Sequence, residues 1–135
     1  MKSVLILCTG NSCRSQIAEG IMKNLHPDYE IYSAGTKPAE RVHPLAIKAL
    51  SEIGIDISQN YPKKVDDFIN KSFDLVLTVC DSANETCPVF TGKVKKRLHH
   101  SFEDPAAAVG NEEEIFGVFR KVRDEIYQFL QKLEI

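Results

Sequence analysis

The sequence has no long apolar run, no low-complexity tract and no internal repeat. Because about 20 consecutive apolar residues are needed to cross a bilayer, we expect no membrane-spanning segment. The N-terminus leads directly into a short apolar strand pattern, without the layout of a signal peptide, so we expect a cytoplasmic protein. Neither sign of charge dominates, since 17 Lys and Arg face 19 Asp and Glu. This balance argues against a surface for nucleic acid or membranes.

The chain also has too few residues for more than one hydrophobic core. At 135 residues, with 43% hydrophobic and 27% charged residues, it has the composition of an ordinary globular domain. We therefore predict a single domain over residues 1–135, and we expect a monomer.

Cysteine is scarce, and the four that occur are Cys8, Cys13, Cys80 and Cys87. Structural disulfides are rare in the cytosol, so these residues indicate redox chemistry, metal binding or simple burial. Zinc is poorly matched, because no two cysteines form a C-x2-C pair and His99-His100 is only a neighbouring dipeptide. We expect no metal, and the positions of the cysteines must decide between redox chemistry and burial.

The stretch from Cys8 to Ser15 has the pattern of a tight loop between a strand and a helix. An apolar strand pattern at Val4–Leu7 precedes it, and apolar residues at helical spacing follow it, namely Ile17, Ile21, Met22 and Leu25. Such a loop leaves backbone N–H groups pointing inward, and the helix dipole adds to their attraction for an anion. We therefore predict an oxyanion-binding cradle formed by Thr9, Gly10, Asn11, Ser12, Cys13, Arg14 and Ser15.

Individual residues of this cradle suit distinct tasks. Gly10 and Asn11 tolerate left-handed backbone angles, which would let the loop curl around a tetrahedral anion. Arg14 can hold two oxygens of that anion in a bidentate fork. Cys8 would lie at the bottom, where the surrounding donors favour its thiolate, so it is the predicted nucleophile. Ser15 can donate a hydrogen bond to its sulfur.

Strands and helices alternate along the rest of the chain. Further strands are predicted at Glu30–Ser33, Phe73–Val79 and Lys95–Ser101, and helices are predicted after Pro44, after Pro62 and after the capping residue Asn111. This alternation predicts an α/β fold, a three-layer domain around a parallel sheet with right-handed crossovers.

Two cysteines directly follow core strands, which places both at the edge where open parallel sheets carry their sites. Cys8 follows the first strand and Cys80 the third, so they could face one site. Asp104 leaves the fourth strand toward the same edge and is a candidate general acid, although Asp-Pro is also a common turn dipeptide. On a helix, Cys80 and Cys87 would lie about 10 Å apart, so bonding them would require that segment to remodel.

Cys13 and three of the four histidines receive no chemical role. Cys13 lies inside the cradle, but its side chain is expected to point away from the anion into the core. His43 and the pair His99-His100 have no convincing partner in the sequence, and we expect surface or capping roles for them.

The segment CTGNSCRSQIAEG, from Cys8 to Gly20, resembles the signature loop of the low-molecular-weight tyrosine phosphatase superfamily, specifically its thioredoxin-coupled arsenate reductase branch. The resemblance extends to YSAGT at 32–36, TVCDSANETCP at 78–88, FEDPA at 102–106 and FRKVRDEI at 119–126. C-x5-R alone would identify only the superfamily, whereas the downstream cysteine pair makes the match more specific. The resemblance implies four parallel strands in the flavodoxin-like order 2-1-3-4.

The resemblance also implies an activity, the reduction of arsenate to arsenite in arsenic detoxification. In the family, the residue matching Cys8 forms a covalent arsenic adduct, and the residue matching Cys80 attacks its sulfur and releases arsenite. Cys87 then attacks Cys80, which leaves a Cys80–Cys87 disulfide for thioredoxin, the electron donor, to reduce. Asp104 matches the family's acid position.

Two other interpretations stay open. A low-molecular-weight protein tyrosine phosphatase would use only Cys8, Arg14 and Asp104. The phosphatase branch generally carries Tyr after the Asp-Pro, where this chain has Ala106, and it does not need the later cysteine pair. A non-enzymatic oxyanion-binding or thiol redox-sensor module is the third interpretation. Sustained turnover with arsenate, thioredoxin, thioredoxin reductase and NADPH would exclude it.

A bound potassium ion is a further implication of the resemblance. Some family members hold potassium near the positions matching Asn11, Glu19 and Ser33. The aligned outer position in this chain is Lys63 rather than an acid, so the resemblance leaves a potassium ion possible without requiring it.

Overall fold

The computed structural model describes residues 2–81 and 87–134. Its centre is a sheet of four strands, β1 (Ser3–Cys8), β2 (Glu30–Gly35), β3 (Phe73–Thr78) and β4 (Val94–His99). The strands lie in the order β2-β1-β3-β4, and every pairing is parallel. The fold class and strand order expected from the sequence are therefore confirmed.

Three α-helices pack against one face of this sheet, α1 (Arg14–Leu25), α2 (Pro44–Ser51) and α3 (Glu112–Lys132). Their apolar side chains form a buried core with the side chains that β1 and β3 direct to that face, Val4, Ile6, Leu75 and Leu77. Alternate residues along each strand point to opposite faces, so Leu5, Leu7 and Val76 belong to a second, smaller core. Both faces of the central strands are therefore covered, as their continuous apolar pattern predicts.

The second face is covered by irregular chain and a short 3-10 helix at Val65–Phe68. The sequence predicted a short helix after Pro62, and the observed element is tighter and only four residues long. Phe90 and Phe73 pack edge-on across this smaller core, with ring centroids 5.5 Å apart. The third layer thus consists of aromatic side chains on short elements rather than α-helices.

Local sequence signals explain where the helices begin. The Asn111 side chain accepts a hydrogen bond from the Glu114 N–H, and the Glu114 side chain accepts one from the Asn111 N–H, which completes a capping box for α3. Pro44 occupies the first turn of α2, and the His43 side chain accepts a hydrogen bond from the N–H of Leu45 at 3.1 Å. His43 therefore has the capping role expected for it.

The chain crosses from β1 to α1 through the Cys8–Ser15 segment, and β2 runs directly beneath it. A Cβ atom placed on Gly35 would collide with the Thr9 carbonyl oxygen and lie 3.0 Å from the Asn11 nitrogen. Glycine is required here because of this close backbone approach. In the described part of the chain, no helix combines the length and the apolar character that crossing a membrane requires.

Candidate active site

The Cys8–Ser15 loop and the segment after β4 enclose a pocket of about 360 Å³ at the carboxyl ends of the strands. Residues from both segments line it, namely Cys8, Thr9, Gly10, Ser12, Cys13, Arg14, Asp104, Ala106 and Ala107. The expected cradle and the candidate acid therefore meet in one pocket, although the sequence separates them by about ninety positions. Ser15 and Asn11 lie just below its floor, fully buried.

The Cys8 sulfur is held at the base of this pocket by two hydrogen-bonding groups. The N–H of Asn11 donates to Sγ at 3.2 Å, and the Ser15 hydroxyl oxygen lies 2.8 Å from Sγ. The same hydroxyl oxygen accepts a hydrogen bond from Asn11 Nδ2 at 2.7 Å, so its own proton is directed toward the sulfur. Two donors thus converge on Cys8, and both stabilise a negatively charged sulfur.

Asn11 fixes the shape of the cradle from below. Its backbone has a φ of 51°, the only positive value at a non-glycine position in the described residues. Its amide nitrogen donates to the hydroxyls of Ser15 and Ser33, at 2.7 and 2.9 Å. Its amide oxygen accepts from Gln16 Nε2 at 3.1 Å and from the Lys63 N–H at 2.9 Å. These four contacts hold the left-handed conformation that the sequence predicted for Asn11. Gly10, for which the same conformation was expected, does not have a positive φ, so the turn depends on Asn11.

Glu19 supplies a buried negative charge behind Asn11. Its carboxylate accepts hydrogen bonds from Ser33 at 2.7 Å, from Asn60 at 3.0 Å and from Lys23 at 3.1 Å. The Lys63 ammonium lies 3.8 Å from the same carboxylate. Burial lowers the pKa of Lys63, and the neighbouring Glu19 opposes that shift. The polar layer under the cradle therefore contains an internal ion pair.

Arg14 and Asp104 meet at the mouth of the pocket. Arg14 is 4% exposed, and its Nη1 donates to the Phe102 carbonyl oxygen at 3.2 Å. Its Nη2 lies 3.8 Å from Asp104 Oδ2. Asp104 Oδ1 accepts from the Ala106 N–H at 3.0 Å, which caps the 3-10 turn Pro105–Ala107. Asp104 thus forms the expected turn and also presents a carboxyl oxygen to the pocket.

Cys13 borders the pocket but belongs to the core. Its side chain packs in the larger apolar cluster and is 4% exposed. Burial raises the pKa of the Cys13 thiol to about 12, while a contact with the Ser12 hydroxyl acts in the opposite direction. A thiol in this state is a poor nucleophile, in keeping with the lack of a catalytic role expected for it.

Cys80 and Cys87 form a disulfide in this structure, with Cα atoms 5.8 Å apart. Cys80 is fully buried, and Cys87 is half-buried. The Val79 N–H donates to the Leu7 carbonyl oxygen at 2.9 Å, so the chain leaves β3 beside the end of β1. The distance between the two Cα atoms is much shorter than the spacing of about 10 Å that a helix would give. Residues 82–86, where that helix was considered, lie outside the described part of the chain.

His99 lies beside this disulfide, which the sequence did not reveal. One of its ring nitrogens and the sulfurs of Cys80 and Cys87 all lie within 4.8 Å of one another. These residue types can bind zinc, but the two sulfurs are bonded to each other here and offer no free thiolate. His100 instead packs between Phe102 and Phe129, with centroid distances of 4.6 and 4.4 Å.

Gln16 and Asn60 also belong to this polar layer, although neither was expected from the sequence. Gln16 donates to Asn11, and Asn60 donates to the side chains of Gln16 and Glu19. The sequence carries only a weak signal for a role of Gln16, namely a polar residue one position before the first apolar residue of α1. In the structure Gln16 is fully buried. Asn60 lies in an irregular segment with no pattern that would bring it to the cradle.

Comparisons with known proteins agree with this geometry. Residues 3–134 match the family described as low molecular weight phosphotyrosine protein phosphatase. A curated arsenate reductase from Halalkalibacterium halodurans is 49% identical over 93% of this chain and 89% of its own length. A solved arsenate reductase in a phosphate-binding state has a TM-score of 0.81 and 32% identity, covering 97% of this chain and 95% of that one.

A third relative is a thioredoxin-dependent arsenate reductase from Corynebacterium glutamicum, with a TM-score of 0.63 and 31% identity over 97% of this chain and 62% of that one. These matches extend over nearly the whole chain, and the solved structures share its fold. The chain therefore belongs to the low molecular weight phosphotyrosine protein phosphatase family, in the branch that contains arsenate reductases.

Proposed function

We propose that this protein is an arsenate reductase that passes oxidising equivalents from Cys8 through Cys80 and Cys87 to thioredoxin. The observation that carries the proposal is the Cys80–Cys87 disulfide, which follows β3 while the anion cradle follows the adjacent strand β1. A phosphatase needs the cradle alone, whereas a reductase needs thiols that can accept the electron deficit. The arsenate reductases among its relatives support the same conclusion.

Substrate capture falls to the cradle. Arsenate is a tetrahedral oxyanion, so the N–H groups from Thr9 to Ser15 and the Arg14 guanidinium would bind its oxygens. The Cys8 thiolate attacks arsenic and forms a sulfur–arsenic bond, and one oxygen leaves as water. Asp104, which presents Oδ2 to the pocket beside Arg14, donates the proton to that leaving oxygen.

The cysteine relay then reduces arsenic. Cys80 thiolate attacks the Cys8 sulfur, the sulfur–arsenic bond breaks, and its electron pair stays on arsenic, which leaves as arsenite. Cys87 attacks the Cys80 sulfur of the resulting Cys8–Cys80 disulfide, and Cys8 departs as a thiolate ready for another anion. The Cys80–Cys87 bond then holds the two-electron deficit until a dithiol reductant accepts it.

The reductant, the oligomeric state and the cellular compartment complete the proposal. The thioredoxin-dependent relative supports thioredoxin as the reductant. We propose a monomer with one catalytic domain over residues 1–135, working in the cytoplasm and without nucleic acid or membrane partners. Its physiological role would be arsenic detoxification.

We propose no resident potassium ion. Asn11, Glu19 and Ser33 do converge, but their hydrogen-bonding capacity is directed at one another and at Gln16, Asn60 and Lys23. The Lys63 ammonium, 3.8 Å from the Glu19 carboxylate, already brings a positive charge to this place. A second monovalent cation there would face repulsion from Lys63.

The decisive experiment is a coupled assay followed by trapping. Adding arsenate to the protein with thioredoxin, thioredoxin reductase and NADPH should give steady NADPH consumption. After one turnover without reductant, alkylation and peptide mass analysis should find Cys80 joined to Cys87, with Cys8 and Cys13 free. Absence of turnover, or both relay cysteines still reduced, would reject the reductase.

Variants of the relay separate the reductase from the phosphatase. Cys80→Ser should stop arsenite release after the Cys8 adduct has formed. Cys87→Ser should allow a single release and then stall as a Cys8–Cys80 disulfide. Hydrolysis of an aryl phosphate, if it occurs, should survive both changes, because phosphoryl transfer followed by water attack uses no second thiol. Undiminished arsenate turnover in the double serine variant would return the protein to the phosphatase class.

A further inference from the structure

His99 is held in a fixed orientation next to the redox pair. Thr78 on β3 and His99 on β4 are register partners in the sheet. The His99 Nδ1 lies 2.6 Å from the Thr78 hydroxyl oxygen, and Nε2 lies 3.0 Å from the Ser101 hydroxyl oxygen. The ring is therefore bound on both edges, although it lies at the surface.

The hydroxyl partners allow the ring to change its protonation state without turning. Thr78 Oγ1 can direct its proton to the Leu98 carbonyl oxygen at 3.5 Å and accept from Nδ1–H. Nε2 can then accept from the Ser101 hydroxyl when it is neutral, or donate to the same oxygen when it is protonated, because a hydroxyl both donates and accepts. The two hydroxyls can therefore hold the ring in one position whichever of its nitrogens carries a proton.

We propose that His99 supplies and removes the proton that accompanies opening and closing of the Cys80–Cys87 disulfide. The proposal rests on the redox role of this pair given above. It is motivated by the distance of at most 4.8 Å between a ring nitrogen and each sulfur, and by the surface position of the ring, which lets it exchange protons with water. In both directions the step is a proton transfer at a sulfur that leaves or enters the disulfide.

Opening of the disulfide takes two successive thiol exchanges. A thiolate of the dithiol reductant attacks Cys87, which is half-buried, rather than the fully buried Cys80. The Cys80–Cys87 bond breaks, its electron pair goes to the Cys80 sulfur, and His99 donates a proton to that sulfur. The second thiol of the reductant then attacks the reductant's own sulfur in the mixed disulfide and gives its proton to the departing Cys87 sulfur. This exchange frees Cys87 as a thiol and leaves the reductant as a disulfide. In the closing direction, His99 accepts the proton that the attacking thiol loses.

The charged groups near the ring do not offer an obvious substitute. Lys96, Lys132 and Glu134 border one groove that includes His99, and Arg97 borders the groove on its other side. Lys96 and Glu134 are joined through the Lys96 ammonium and the Glu134 carbonyl oxygen at 3.3 Å, and Arg97 donates to the Phe90 carbonyl oxygen at 2.6 Å. Unlike these neighbours, His99 carries an imidazole, the side chain that most often transfers protons in enzymes.

The test uses the full-length oxidised protein and dithiothreitol as the reductant, without arsenate. The rate of disulfide opening is followed by quenching with an alkylating reagent and counting free thiols by mass. His99→Ala should open the disulfide about tenfold more slowly, a modest effect for general acid catalysis because water can partly replace the ring. Added imidazole should restore most of that rate, and His100→Gln should react as the unmutated protein does.

Two outcomes would overturn the proposal. One is an unchanged rate in His99→Gln, which can still hydrogen-bond to Thr78 and Ser101 but cannot transfer a proton at neutral pH. The other is a slow His99→Ala variant that imidazole does not rescue and His99→Gln restores, because His99 would then only hold the local geometry. Because the assay requires neither arsenate nor Cys8, its result is independent of whether arsenate is the substrate.

Discussion

The two sulfur sites of this protein lie at the ends of adjacent strands but have very different surroundings. Of the buried polar side chains in the described residues, all but Arg123 lie in or directly under the cradle, namely Asn11, Arg14, Ser15, Gln16, Glu19 and Ser33. The Cys80 side chain instead packs within the apolar core, and its sulfur is bonded to Cys87. Buried polar side chains are thus concentrated around Cys8, whereas Cys80 is surrounded mainly by apolar ones.

The difference follows from what each sulfur has to do. A thiolate that lies next to a bound anion needs hydrogen-bond donors that are already in place, because burying a charge without partners costs free energy. Donors that move would have to be ordered again for each substrate, so Asn11 and its four partners fix them in advance. A sulfur that exchanges disulfide partners needs approach by another thiol more than a fixed polar shell.

The largest expected effect comes from removing the cradle sulfur. Cys8→Ser should reduce arsenate turnover to background, because a serine hydroxyl is far less acidic than a thiol and cannot form the adduct or the later disulfide. NADPH consumption in the coupled assay measures it. Cys13→Ala is the matched control and should keep turning over, since Cys13 lies in the core. Turnover in the Cys8 variant would show that Cys8 is not the nucleophile and that the two sulfur sites do not have the separate roles described here.

A smaller loss is expected at the mouth of the cradle. Asp104→Asn keeps a side-chain oxygen that can accept from the Ala106 N–H, so the turn should survive while the acidic proton is lost. Adduct formation should slow by about 10²–10⁴-fold with anion binding largely intact. Rapid-quench measurement of the first turnover, together with phosphate affinity by calorimetry, tests both parts. A loss below about threefold would leave Asp104 with only its turn role.

The fixed polar layer can be tested through Asn11. Asn11→Ala removes four hydrogen bonds and places a Cβ residue without a polar side chain at a φ of 51°. Unsatisfied buried groups cost about 1–3 kcal/mol each, so we expect at least about 2 kcal/mol of lost stability and about tenfold weaker phosphate binding. Urea unfolding and calorimetry measure these effects. Asn60 lies only at the edge of the layer, so Asn60→Ala should weaken phosphate binding by less than about threefold. An equal loss of phosphate affinity in both variants would argue against a special role for Asn11.

Lys63 tests the charge within the same layer. Lys63→Ala should lower the Tm by a few degrees, since an ion pair of about 1 kcal/mol shifts the Tm of a domain of this size by about 2–6 °C. Lys64→Ala removes an exposed neighbour that pairs with Asp66 and should have almost no effect. In the unmutated protein, potassium chloride and choline chloride at equal ionic strength should give the same Tm. A higher Tm in potassium would mean that the cation does bind.

The smallest expected signal is the lack of reaction at Cys13. Because its pKa is raised to about 12, above the usual range for a thiol, its thiolate fraction at about pH 8 is only about 10⁻⁴. After reduction of the native protein, iodoacetamide should modify Cys87 long before Cys13, and unfolding in urea should make Cys13 reactive. Peptide mass analysis over time gives both rates. Rapid labelling of Cys13 in the native protein would show that Cys13 and Cys8 differ less in reactivity than their surroundings indicate.

The sequence alone determined the main strands and helices and the placement of the cradle, because these depend on local patterns, whereas the strand order came from the family resemblance. The apolar runs of β1 and β3, the Cys8–Ser15 loop and the capping residue Asn111 each act over a few residues. A loop between a strand and a helix must present its N–H groups at the same edge of a parallel sheet. The residues of the cradle could therefore be named from their spacing, whereas the acid role expected for Asp104 depended on the family resemblance.

Only the tertiary structure decided which distant polar groups support that pocket. Ser33, Asn60 and Lys63 reach Asn11 or Glu19 through the packing of β2 and the segment after α2 on the cradle. His99 reaches the disulfide because β4 pairs with β3 in one particular register. Sheet pairing and side-chain contacts between remote segments arise from burial over the whole domain, which no local pattern specifies.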